Sequence, residues 1–264
     1  MRESTDLRCE ASDKDIDYGP SDDLPWLSEP LCFLDKMESS TELLQDSTST
    51  GAIDDMSACE FVYGIPFQLL VLMNKTSELI RRRRRFSKQF PGAAMSRILS
   101  DMCESLEAEI LDWPIDRIIA EIADFPIPQE SRDLMEHQTK AFHQAIIIYF
   151  SQQVRSVHRK HLQPYVHNII DHLEAVELIK HRANLSTGCI LWPGFIGAAE
   201  ALDAKAQSRY LQWFRSTRFY GLGAYDKACE IVLAVWERQK PEKGHVPCDW
   251  SSVVESKDIR LMLT

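Results

Sequence analysis

Long apolar runs, paired cysteines, glycine-rich loops and alternating strand patterns are all missing from this chain. Each absence removes a class of protein. No uninterrupted apolar stretch is longer than Ala145 to Phe150, well short of the ~18 residues that a membrane helix needs. The first residues are acidic rather than basic-then-apolar, which argues against a secretory or transit leader. The seven cysteines, Cys9, Cys32, Cys59, Cys103, Cys189, Cys229 and Cys248, are odd in number, far apart and never in a C-x-x-C pair. That excludes a disulfide scaffold and the close ligand pairs of a structural zinc site; buried structural thiols are expected instead. Gly221 and Gly223 lack the lysine and the strand-to-helix context of a phosphate loop, and no G-x-S-x-G elbow occurs. The acid pairs Asp22-Asp23 and Asp54-Asp55 fall in a polar stretch without helical patterning. No catalytic set, metal site or cofactor site is therefore expected, and the chain reads as a non-enzyme.

What is present is charge, unevenly spread. Residues 1–60 hold sixteen Asp and Glu against four Lys and Arg, a balance of −12 within a total of −10. The rest carries +2, so bulk charge provides no cationic face for duplex DNA. Residues 1–58 read as an acidic, mostly disordered tail. Within it, Leu24, Trp26, Leu27, Leu31, Phe33 and Leu34 sit among acids. That mixture is the composition of an activation segment, in which charge keeps the apolar side chains solvated until a partner groove takes them. The other reading is a tail that folds back on the domain or does nothing.

From residue 59 to 264 the pattern turns helical. Pro66 suits the start of a helix whose apolar side is Leu69, Leu70, Leu72, Met73, Thr76, Leu79 and Ile80. Ala94 to Leu111, Ile115 to Ile122 and Ser131 to Val157 follow as helices, the last with an apolar belt broad enough for burial on several sides. Pro164 is expected to start the next, with Val166, Ile169, Ile170, Leu173 and Val176 inward. The run Arg81, Arg82, Arg83, Arg84 and Arg85 cannot face one surface, because helix residues rotate by about 100°. It is a candidate nuclear-import run or phosphate contact, or else a helix end favoured by cations. Of the clustered histidines, only His158 and His161 have helical metal-pair spacing. Arg159 and Lys160 between them disfavour a metal.

The C-terminal third divides into three helical pieces. Trp192-Pro193 opens an apolar segment in which Gly194, Gly197, Ala198 and Ala201 present a small-residue face. Tyr210, Leu211, Trp213 and Phe214 mark the second piece. Ala228, Ile231, Val232, Val235 and Trp236 form the stripe of a half-buried third. The crowded aromatics suit a plain core better than an effector pocket. Were such a pocket present, Arg209, Trp213, Arg215 and Arg218 would be its candidate contacts for an acidic metabolite.

The order of Trp192-Pro193, the Gly/Ala-rich segment ending in Glu200-Ala201, an Arg209-led helix, the Gly221-Leu222-Gly223 turn, Val235-Trp236-Glu237-Arg238 and Asp249-Trp250 resembles the fungal-specific transcription factor domain of zinc-cluster regulators. The resemblance extends upstream to roughly Tyr63. It implies an all-α, irregular multi-helix regulatory domain working in the nucleus with protein partners of the transcription machinery, and homodimerisation by analogy. Such regulators normally read DNA with a six-cysteine, two-zinc module, which this sequence does not contain. Zinc and direct DNA binding are accordingly expected only of a module outside it, with DNA otherwise reached through a partner. A helical interaction scaffold without a transcriptional role is the alternative.

Overall fold

The computed structural model describes residues 24–27, 29, 31, 64–185, 190–218, 221, 223–239 and 250–257. Among the described residues all regular structure is helical, without strands. A 3-10 turn at Pro25–Leu27 precedes α1 (Phe67–Gln89), α2 (Arg97–Leu111), α3 (Ile115–Ala123), α4 (Gln129–Gln153) and α5 (Arg159–Ala183). Then come α6 (Leu191–Glu200), α7 (Ala204–Thr217), α8 (Gly223–Arg238) and α9 (Trp250–Lys257).

Local chemistry sets most boundaries. Pro66, Pro114 and Pro128 stand directly before α1, α3 and α4, where a missing N–H is harmless. The Ser96 hydroxyl accepts the Leu99 N–H at 3.3 Å, and the Asp203 carboxylate accepts the Ala206 N–H at 2.8 Å, each satisfying a first-turn donor. Asn184 ends α5 in the left-handed conformation, φ 51°, as C-terminal caps commonly do. One boundary corrects the sequence reading. Pro164 does not start α5; the helix begins at Arg159, with His158 accepting the Lys160 N–H. The carbonyl that Pro164 leaves without a helical donor belongs to exposed Lys160, where water can serve it.

Helix α4 packs chiefly on α5, and both pack on α6. All ten residues of α6 are buried, the condition of a helix that is apolar all round. Its small residues admit close neighbours. A Cβ at Gly194 would lie 2.3 Å from the Trp213 ring, and one at Gly197 would lie 2.1 Å from the Tyr210 hydroxyl. Tyr210 uses that hydroxyl to hold the Val166 carbonyl of α5 at 2.8 Å, so α5, α6 and α7 lock at one point.

The end of α6 is closed by side chains. The Trp236 indole N–H donates to the Ala198 carbonyl at 2.9 Å, and the Arg159 guanidinium donates to that of Ala199. The Gln163 amide reaches the Glu200 carbonyl at 3.0 Å, and the Gln207 amide the Ala201 carbonyl at 3.1 Å. Apart from that of Ala198, which also takes the Ala201 N–H at 3.1 Å, these are acceptors that a helix end leaves unmet. Arg159 also pairs with the Glu200 carboxylate at 2.6 Å, a group only 1% exposed, and its charge suits the negative end of the helix dipole. The rings of Phe142, Trp192, Tyr149, Trp250 and Phe195 continue this core in successive contacts of 4.8–6.2 Å.

Candidate functional site on the arginine face of helix α1

Helix α1 does not end at its arginines but runs through them to Gln89. The 100° rotation therefore sends the five side chains in different directions. Arg81, Arg84 and Arg85 are exposed, and with Lys88 they follow the 81, 84, 85, 88 spacing of one helix face. They line a cleft of about 650 Å³ together with Ser77, Ile80, Gln89 and Tyr149. Arg84 donates to the Gln153 side-chain carbonyl at 3.0 Å and the Ser251 hydroxyl at 2.9 Å, tying α1 to α4 and α9. Tyr149 lies beside Ser77, hydroxyl to hydroxyl at 3.5 Å. Burial raises the Tyr149 phenol above its ordinary pKa, with the Ser77 contact and Arg84 opposing.

The other two arginines turn inward. Arg83 donates to the carbonyls of Gln153 and Val154, serving as a cation at the end of α4. Arg82 is 4% exposed. Its Nε donates to the Glu78 carboxylate at 2.9 Å, and one terminal nitrogen donates to the backbone carbonyls of Glu29 at 2.7 Å and Leu27 at 3.3 Å. Burial lowers the Arg82 pKa, while the nearby Glu29 charge raises it.

The partners of Arg82 lie in the stretch expected to stay solvated. Leu27 is instead 1% exposed and part of the core, with Leu24, Trp26 and Leu31 half-buried against it. The Arg85 guanidinium sits 4.6 Å above the Trp26 ring, within cation–π range. Leu31 shares a cleft of about 470 Å³ with Lys75 of α1 and Ile98, Met102 and Leu106 of α2. The structure thus joins two candidate sites that are more than fifty residues apart in sequence. Phe33 and Leu34 lie outside the described residues.

The candidate effector contacts do not converge. Arg209 faces α5, bonding Glu174 through two nitrogens at 2.9 and 2.6 Å and Asp171 at 2.6 Å. The Glu174 and Asp171 bonds push its pKa further up, against burial. Arg218 bonds Asp226 of α8 at 2.8 Å, Arg215 is exposed, and Trp213 is buried against Gly194.

A pair that spacing did not reveal is His137 of α4 and His172 of α5. Their Nδ1 atoms stand 2.9 Å apart, so one ring donates and the other accepts. Burial, His137 and Lys140 hold His172 down to about 4, with Asp171 and Glu136 opposing. Burial also lowers His137. Thirty-five residues separate the two, so only the packing of α4 on α5 could bring them together.

For metal, the described cysteines are Cys103 on α2 and Cys229 on α8, both with thiols pushed up by burial. Among the described residues no group of three or more His, Cys, Asp or Glu is placed to hold an ion. These residues do not fit a zinc cluster. No helix among them is long and apolar enough to cross a membrane.

Comparison with known proteins gives these features a setting. Over 216 residues, 80% of its length, the chain is 24% identical to the arginine metabolism regulation protein II of Saccharomyces cerevisiae. It spans about a quarter (24%) of the length of that relative. No solved structure matches. The fungal specific transcription factor domain matches residues 4–264. A match over nearly the whole chain, on an all-helical core built around the Trp192-Pro193 segment, establishes that this chain belongs to the fungal-specific transcription factor domain family.

Proposed function

We propose that this domain is the regulatory, protein-contacting part of a fungal transcription regulator that controls RNA polymerase II transcription in the nucleus. The family match over residues 4–264 carries the reading. Two features support a role in contact rather than turnover. The core around α6 is closed by its own side chains, and the cation-lined cleft lies on an exposed face of α1. In this reading DNA is met through a zinc-bearing module or a partner, because the sequence holds no closely spaced cysteine pair.

The apolar residues Leu24, Trp26, Leu27, Leu31, Phe33 and Leu34 act as the activation segment, and Arg81, Arg84 and Arg85 as the exposed part of the import run. The test is a fluorescent fusion of the full chain and a reporter driven by residues 1–57 on a heterologous DNA-binding module. Nuclear accumulation that falls when Arg81, Arg84 and Arg85 become Ala, together with reporter activation, is the expected result. Failure of both would leave a helical interaction scaffold and defeat the proposal.

A further inference from the structure

The contact between the N-terminal segment and α1 carries a consequence for regulation. Three independent interactions seat the segment: Leu27 in the core, the Leu27 and Glu29 carbonyls on Arg82, and the Trp26 ring under Arg85. Leu31 extends the seat across to α2. The receiving surface is built to accept this kind of chain. Arg82 is held by Glu78 from its own helix, leaving nitrogen donors to meet backbone carbonyls, and exposed Arg81, Arg84 and Lys88 lie beside Arg85. Residues 1–60, which bear sixteen acids against four bases, complement that charge.

We propose that the α1–α2 face is a docking surface for an acidic peptide bearing Leu and Trp, and that its resident occupant is the chain's own Leu24–Leu31 segment. While docked, the segment withholds from any partner the side chains that a partner would bury. Arg82 is covered by this contact, and the exposed Arg85 stacks on it. Release takes the Leu27 and Glu29 carbonyls from Arg82 and the Trp26 ring from Arg85 at once, so a partner that takes the segment also changes the arginine face. The withholding of activation rests on the proposed function; the docking does not.

The test uses the full chain and a fluorescein-labelled peptide of residues 20–35. Leu27→Asp breaks the resident contact from the segment side, and Trp26→Ala is a milder second variant should the first fail to fold. The labelled peptide is expected to bind the folded variant about tenfold more tightly than the wild-type chain, whose site is occupied for most of the time. Adding Arg82→Gln and Arg85→Ala to the variant should abolish that binding. Equal binding to variant and wild type, no binding to either, or binding indifferent to Arg82 and Arg85 overturns the docking surface.

In cells, Arg82→Gln with Arg85→Ala in the full chain, fused to a heterologous DNA-binding module that carries its own import signal, should raise reporter output several-fold. An unchanged output sinks the withholding. If residues 20–35 alone on that module are silent, the activation reading fails, while peptide binding still decides the docking.

Discussion

Helix α6 and the second half of α1 are both crowded, but for opposite reasons. Helix α6 has almost no functional groups of its own: it is Leu, Trp, Pro, Gly, Phe, Ile and Ala up to Glu200. Its neighbours bring the polar atoms that close its end, and the helix itself is buried along its whole length. The second half of α1 has an excess of charge on a short length, and the fold distributes it among the end of α4, the N-terminal segment and solvent. Removing one group from α6's surroundings leaves a buried partner with nowhere to go. Removing one from α1's exposed face leaves water to take its place. The first region specifies the fold, and the second is free to carry function.

The largest effect that would sharpen this contrast is Arg159→Ala. It removes the arginine that pairs with the buried Glu200 carboxylate and takes a donor from the Ala199 carbonyl, and breaking a buried pair from one side costs about 3–5 kcal/mol. Urea denaturation should show that loss, and adding Glu200→Gln should recover part of it. Next comes Gly197→Ala. Its methyl would meet the Tyr210 hydroxyl, and overpacking of this kind costs about 1–3 kcal/mol. Combined with Tyr210→Phe, the loss should be smaller than the sum of the two singles, because the substitutions share one contact.

A smaller effect comes from pH. The unfolded chain protonates its histidines near pH 6.5, whereas folded His172 resists until about 4 and folded His137 is also lowered. Between those values the unfolded state binds more protons, so stability falls as pH drops from about 6.5 toward 4. Denaturation midpoints at pH 7 and 5 should show the fall, and His137→Asn with His172→Gln should lessen it. The smallest effect is Arg85→Ala, where an exposed cation–π contact is worth about 0.5–1 kcal/mol. A loss there as large as that of Arg159→Ala would erase the distinction between the two regions.

Much of the helical layout was legible because burial leaves a period in the sequence. The stripe Ala228, Ile231, Val232, Val235 and Trp236 is buried as its spacing predicts, and so is Val166, Ile169, Ile170, Leu173 and Val176. The small face of α6 likewise foretold a close neighbour, which Trp213 and Tyr210 supply. The start of α5 was misread because proline favours a first turn without being confined to it. Of the candidate site, the rotation argument established that the arginines must part company. It gave no direction to any of them, since Arg82 answers to carbonyls more than fifty residues away and Arg83 to the end of another helix.

By itself the sequence determined that this chain is helical, where its apolar stripes lie, and which of its stretches carry acid and which carry arginine. Those properties follow from local period and composition, and they would survive in a different arrangement of the same helices. Only the tertiary structure decided that Leu27 is a core residue, that two of five arginines turn inward, and that His137 meets His172. Each of these depends on a contact between distant segments, whose free energy belongs to the pair and is written in neither segment alone.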